Sequence, residues 1–111
     1  MLIATVRDAH AWIASWVATI DLPIGSGHHS REWVARMLDE TAAERDDLSS
    51  SHASSGQVTA ARNQAAIART MRAAARRLRA EIASMSLADD AARIIAAHAA
   101  AAIVSAAEVS L

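Results

Sequence analysis

Residues 68–82 read ARTMRAAARRLRAEI, five arginines and one acid in a chain of 111 residues that contains no lysine. Projected at about 100° per residue, Ile67, Met71, Ala74, Ala75, Leu78, Ile82 and Met85 fall on one face. Arg62, Arg69, Arg72, Arg76 and Arg79 gather within about 100° on the other, with Arg77 on the flank. A period of 3.6 with apolar and basic faces this cleanly separated is a helix. The methionines on its apolar stripe read as core rather than as ligands.

Working outward, Ala, Leu, Arg, Glu and Met dominate the rest, and no segment alternates with period two. The fold class is therefore all-α. Three breaks divide it. DLPIGSG (21–27) holds the only proline and two of the three glycines, and SSSHASSG (49–56) reads as a serine-rich loop ending in the third. Ser86 followed by Asp89 resembles a capping box with Asp in place of Glu. These predict helices over roughly 3–20, 30–48, 57–84 and 86–109, with loops 21–29 and 49–56. The expected architecture is a single domain, 1–111, forming a small antiparallel helical bundle of about four helices with Ala-rich close packing.

Of 59 apolar residues 30 are alanine, and neither Phe nor Tyr occurs, so the core available to one chain is thin. A thin core favours completion by another chain, and a homo-oligomer, most simply a dimer, is expected. The first helix spaces Leu2, Val6, Ala9, Ile13, Trp16 and Ile20 as an a/d seam, and Ile3, Trp12 and Val17 widen its apolar face to about 180°. Ala88, Ala92, Ile95, Ala99, Ala102, Ala106 and Val109 repeat at 4-3 spacing in the last helix. Val6, Trp12, Ile13, Trp16, Ile20, Ile95, Ala99 and Ala102 are the expected oligomer interface. The tryptophans read as packing residues, not as a ligand platform.

Charge is segregated: −1 over residues 1–29, −3 over 30–56, +5 over 57–85 and −2 over 86–111, for a net charge of −1. A hairpin closed over a 49–56 loop brings Asp47, Glu44 and Asp39 near positions 58, 61 and 66, so these acids are expected to pair with Arg62 and Arg69. Arg72, Arg76, Arg77 and Arg79 are left over. With Arg69 they form the expected surface for an acidic protein partner, since a planar guanidinium matches carboxylates in bidentate geometry. Nucleic acid is the alternative partner, against which stand the slightly acidic balance and the lack of a helix-turn-helix, zinc finger or stacking platform.

Two short constellations carry possible chemistry. GHHSRE places His28, His29 and Glu32 together before a helix capped by Ser30, a candidate metal set without a fourth donor nearby. RIIAAH supplies Arg93 and His98 as R-x4-H, which resembles the R-x4-6-H motif of HEPN ribonucleases; that resemblance implies a helical, dimeric RNase. A second such pair, Arg45 and His52, falls in the serine-rich loop. His98 is expected on a buried face. Glu40, Glu44 and Asp47 share a face, as carboxylates do in Mg²⁺-dependent all-α pyrophosphatases, but the ExxE and ExxD repeats are missing. With no cysteine, thiolate chemistry is excluded. No cofactor is implied. The favoured reading is a non-enzymatic adaptor, regulator or assembly factor.

The apolar run 9–20 is bracketed by Asp8 and Asp21 and broken by His10, and the run 94–107 is mostly alanine, so neither is expected to span a membrane or to act as a leader. A cytoplasmic protein is expected. Arginine as the sole strong base beside abundant alanine is what a GC-rich coding sequence gives, which points to a bacterial or phage origin.

Overall fold

The computed structural model describes residues 2–110, with side chains through residue 108. It is all-helical, with three α-helices: α1 (Val6–Val17), α2 (Arg31–Ser54) and α3 (Val58–Ser110). A 3-10 turn, Ala18–Asp21, continues α1. No strand occurs among the described residues.

The four expected helices are three, because the chain does not break at Ser86. Beyond Gly56 there is neither glycine nor proline, and a serine inside a helix costs only a few tenths of a kcal/mol relative to alanine. The alanines on either side carry the helix through. The serine-rich loop is also mostly helix. α2 runs to Ser54, and the reversal occupies only residues 55–57. Gly56, at φ +75, takes the left-handed position that an L side chain rarely adopts. Its N–H donates to the Ala53 carbonyl (3.1 Å), and the Gln57 N–H donates to the His52 carbonyl (2.8 Å). That pair of bonds is a Schellman motif, which satisfies carbonyls a helix end leaves open.

At the other ends side chains cap, Ser30 as expected and Thr5 in addition, which starts α1 at Val6 rather than near residue 3. Ser30 accepts from the Trp33 N–H (3.1 Å) and starts α2. Thr5 accepts from the Asp8 N–H (3.1 Å) and starts α1, while Asp8 accepts from the Ala4 N–H in return (3.1 Å). The return bond goes to the residue before the N-cap rather than to Thr5 itself, so it is a variant of the capping box displaced by one residue.

By contacts the chain forms two compact units, one ending at Ala80 and the other beginning at Glu81. The first has a conventional core. Ile3, Ala9, Ile13 and Ile20 meet Val34, Ala35, Leu38 and Ala42 of α2 and Ile67, Ala68, Met71, Ala75 and Leu78 of α3. Small residues at positions 9, 35, 42, 68 and 75 let the helices approach closely around Leu38, Ile67, Met71 and Val34. Two side chains tie the N-terminal segment to this core. Arg45 donates to the carbonyl of Ile3 (3.0 Å) and to Gln64 Oε1 (3.1 Å), and Asn63 donates to the Ala4 carbonyl (2.6 Å).

The second unit is helix throughout its described residues, and every residue from 86 to 108 is exposed. Leu87, Ile95 and Ile103 are about 70% exposed, and Met85, Ile94 and Val104 more than half. Met71 thus matches the expected core stripe and Met85 does not. Val109 of the expected seam lies outside the residues whose side chains are described. α3 is also long and apolar enough, by length and composition alone, to cross a membrane. Its uncharged run from Ile94 to Ala107 covers only about 21 Å at 1.5 Å per residue, short of a hydrocarbon core of about 30 Å.

Truncating Leu38 to Ala should lower unfolding stability in urea by about 2–4 kcal/mol, because it opens a cavity in a fully buried site. Ile95→Ala, measured where the chain is monomeric, should leave the same midpoint within experimental error, since its side chain is mostly exposed.

Candidate functional site

The arginines of α3 divide into two sets. Arg72 pairs with Asp46, and Arg79 with Asp39 (2.5 Å), with Glu32 of α2 further off at 3.9 Å. The expectation that Arg72 and Arg79 find no acid in their own chain is therefore corrected, as is the pairing of Arg62 and Arg69 with Asp47, Glu44 and Asp39. Register explains both. Closing the hairpin at Gly56 lengthens α2 by two turns and shifts every facing position of α3 toward the C-terminus. Helical side chains also lean toward the N-terminus of their helix, so Arg72 and Arg79 reach acids that a simple count places opposite earlier residues.

In each pair the hydrogen bond to the carboxylate, Asp46 for Arg72 and Asp39 for Arg79, holds the guanidinium above its ordinary pKa. A raised folded-state pKa gives stability that is present below the unfolded value and lost only in strong alkali. Both pairs are thus constant features at neutral pH, weakened by solvent because all four side chains are more than a third exposed.

Arg62, Arg69, Arg76 and Arg77 remain exposed. No ion pair within 4 Å engages them among the described residues. Arg62, Arg69 and Arg76 recur every seven residues, a straight stripe with about 10.5 Å between successive side chains. Arg69 and Arg77 also line a groove of about 320 Å³ between α1 and α3. Its lining also includes His10, Ile13, Thr70, Ala73 and Ala74. Thr70 already donates its hydroxyl proton to the Ala66 carbonyl (2.9 Å), which leaves Arg69, Arg77 and His10 as the groups able to meet a ligand.

His28, His29 and Glu32 each meet a different neighbour. His28 Nδ1 lies 3.0 Å from the Leu22 carbonyl. His29 stacks on Trp33 at 4.0 Å and meets the edge of Trp16 at 5.4 Å, so it belongs to an aromatic cluster with Trp12. Glu32 is drawn toward Arg79. Among the described residues no three His, Asp or Glu side chains converge.

Arg93 and His98 are both exposed, so His98 is not on a buried face. Five residues separate them, about 140° around the helix, and Arg93 pairs with Asp90. Arg45 is used in tying down Ile3, and His52 Nδ1 lies 2.6 Å from Gln57 Oε1. In each R-x4-6-H pair the arginine is thus engaged with a group other than its histidine.

Of the expected interface residues, Ile13 and Ile20 are buried in the core of the first unit, and Val6, Trp12 and Trp16 pack half-buried against it. Ile95, Ala99 and Ala102 are exposed. Sequence reasoning missed Arg45, Asn63 and Gln64 as structural anchors; nothing in their spacing announces a bond to the N-terminal backbone. Gly56, expected only as the end of a loop, instead marks the C-terminus of α2.

Compared with protein-family models, curated proteins and solved structures, the chain matches none.

A double-mutant cycle between Arg72→Gln and Asp46→Asn should return a coupling below about 1 kcal/mol, falling further in 1 M salt. A larger, salt-insensitive coupling would show a pair shielded from solvent, against the exposure of both side chains.

Proposed function

We propose that the chain is a non-enzymatic, self-associating helical adaptor, regulator or assembly factor that docks an acidic protein partner through the exposed arginines of α3. The observation that carries this reading is the stripe Arg62, Arg69 and Arg76 with Arg77 beside it, none of them in an ion pair among the described residues, while Asp46 and Asp39 of α2 pair with Arg72 and Arg79. Four uncompensated guanidinium groups on one helix favour an acidic surface by electrostatic complementarity. Arg72 and Arg79, about 40% exposed, can add a second contact at the edge of that surface.

Self-association draws on the second unit. Ile95, Ala99 and Ala102 lie on the face opposite Asp90 and Arg93, where small side chains permit close helix approach and Ile95 supplies apolar area. A dimer through this face is the simplest form, and a cytoplasmic location suits it.

Light scattering on the purified chain should give a multiple of 11.7 kDa, and Ile95→Asp with Ala99→Asp should reduce it to the monomer with helicity of the first unit retained. Replacing Arg62, Arg69 and Arg76 with Gln should weaken binding to a polyglutamate probe on the order of a hundredfold, at roughly 1 kcal/mol per lost contact. A monomer, or undiminished polyglutamate binding, sinks the corresponding half of the proposal.

The seven-residue spacing of the arginines also favours a second reading, in which the stripe tracks a nucleic-acid backbone. Three phosphate contacts then predict that log K falls against log salt with a slope of about −3, dropping by about one for each arginine removed.

A further inference from the structure

We propose that the groove between α1 and α3 binds a small phosphate monoester, with the phosphate held by Arg69 and Arg77 and the organic body resting on Ile13, Ala73 and Ala74. Three observations converge on it. Arg69 and Arg77 flank the same groove from positions eight residues apart on α3, about 12 Å along the helix, and neither has an ion-pair partner among the described residues. The carboxylates of α2 nearest the basic helix, Asp39 and Asp46, are already engaged by Arg79 and Arg72. Three of the lining residues, Ile13, Ala73 and Ala74, are apolar, with Ile13 almost fully buried, so a bound anion would meet a surface that in part offers water no hydrogen bonds.

The choice of phosphate over carboxylate follows from counting donors. A carboxylate has two oxygens and a single negative charge to share between two guanidinium groups, so bidentate pairing with one arginine leaves the second a weaker contact. A phosphate monoester carries three terminal oxygens and close to two negative charges at neutral pH, enough to engage both forks and still accept from His10 across the groove. Thr70, whose proton is committed to Ala66, acts as a wall. A groove of about 320 Å³ is at the small end of ligand sites, which limits the organic body to about the size of one ring.

This site shares Arg69 with the acidic-partner surface but does not rest on that reading. The test is to titrate the full chain with phenyl phosphate and with inorganic phosphate at ionic strength held constant by chloride, following the arginine Nε–Hε resonances by NMR. Saturable shifts at Arg69 and Arg77 are expected, with phenyl phosphate binding about fivefold more tightly than inorganic phosphate. Arg69→Gln and Arg77→Gln should each weaken it about tenfold, and Arg62→Gln, an exposed arginine outside the groove, by less than twofold. Shifts that do not saturate, an equal loss in Arg62→Gln, or no preference for the phenyl ester would overturn the site. Lost polyglutamate binding with phosphate saturation intact would remove only the acidic-partner reading, and the reverse result would remove only this one.

Discussion

The reversal at Gly56 is the constraint on which the arrangement of charge depends. Two backbone bonds and one positive φ close α2 onto α3, and from that point the antiparallel register of the two helices is fixed. Move the closure by one helical turn and Asp39 and Asp46 no longer meet Arg79 and Arg72. The core would suffer too, since Leu38 and Val34 of α2 share it with Met71 and Ile67 of α3, and a helix stripe tolerates axial slip poorly when large and small residues alternate along it.

Fixing the register also decides which basic residues have spare binding capacity. α2 carries six acids and three arginines, and α3 carries six arginines between positions 62 and 79. These charges might have cancelled along the hairpin. Instead, two arginines are matched and Arg62, Arg69, Arg76 and Arg77 are not, because they lie on the parts of the helix surface turned from α2. Glu40, Glu44 and Asp47, exposed on α2, have the sign to pair with them but are not placed within 4 Å of any of them. Unlike charges on separate faces of one small unit leave its basic face able to attract an anion although the chain as a whole carries a net charge of −1.

Much of this was legible in the sequence, and the losses have physical causes. The amphipathic period of residues 67–78 gave the helix and its buried face, and Ser30 gave the start of α2, because periodicity and capping are local signals. Helix ends inside a polar run were not legible. Serine is neutral enough in a helix that SSSHAS supports either state, and only the glycine after it separates them. Ser86 and Asp89 match a cap pattern, yet a cap forms only where something else stops the helix, and the surrounding alanines stop nothing. Which arginine meets which acid depends on that undecided closure, so an error of a few residues at the turn exchanged the paired and unpaired sets.

The second unit poses a sharper question about its aliphatic residues. Alanine is the best helix former, and an alanine-rich segment needs little packing to stay helical near its continuation into a longer helix. Ile94, Ile95, Ile103 and Val104 are each poorer helix formers, because branching at Cβ restricts χ1 against the preceding turn. Each also leaves more than half its surface exposed. They therefore weaken the helix slightly and gain no burial in return within their unit. Alanine at all four positions would give a more soluble and more helical segment, so nothing within the described residues of this unit accounts for the larger aliphatic side chains. Asp89, Asp90 and Arg93 sit at the start of this segment and Glu108 at its end, with no charge from Ile94 to Ala107. An exposed stretch bounded by charges and rich in alanine offers a surface on which a second helix can approach closely, and it is about six residues shorter than a span of the hydrocarbon core needs.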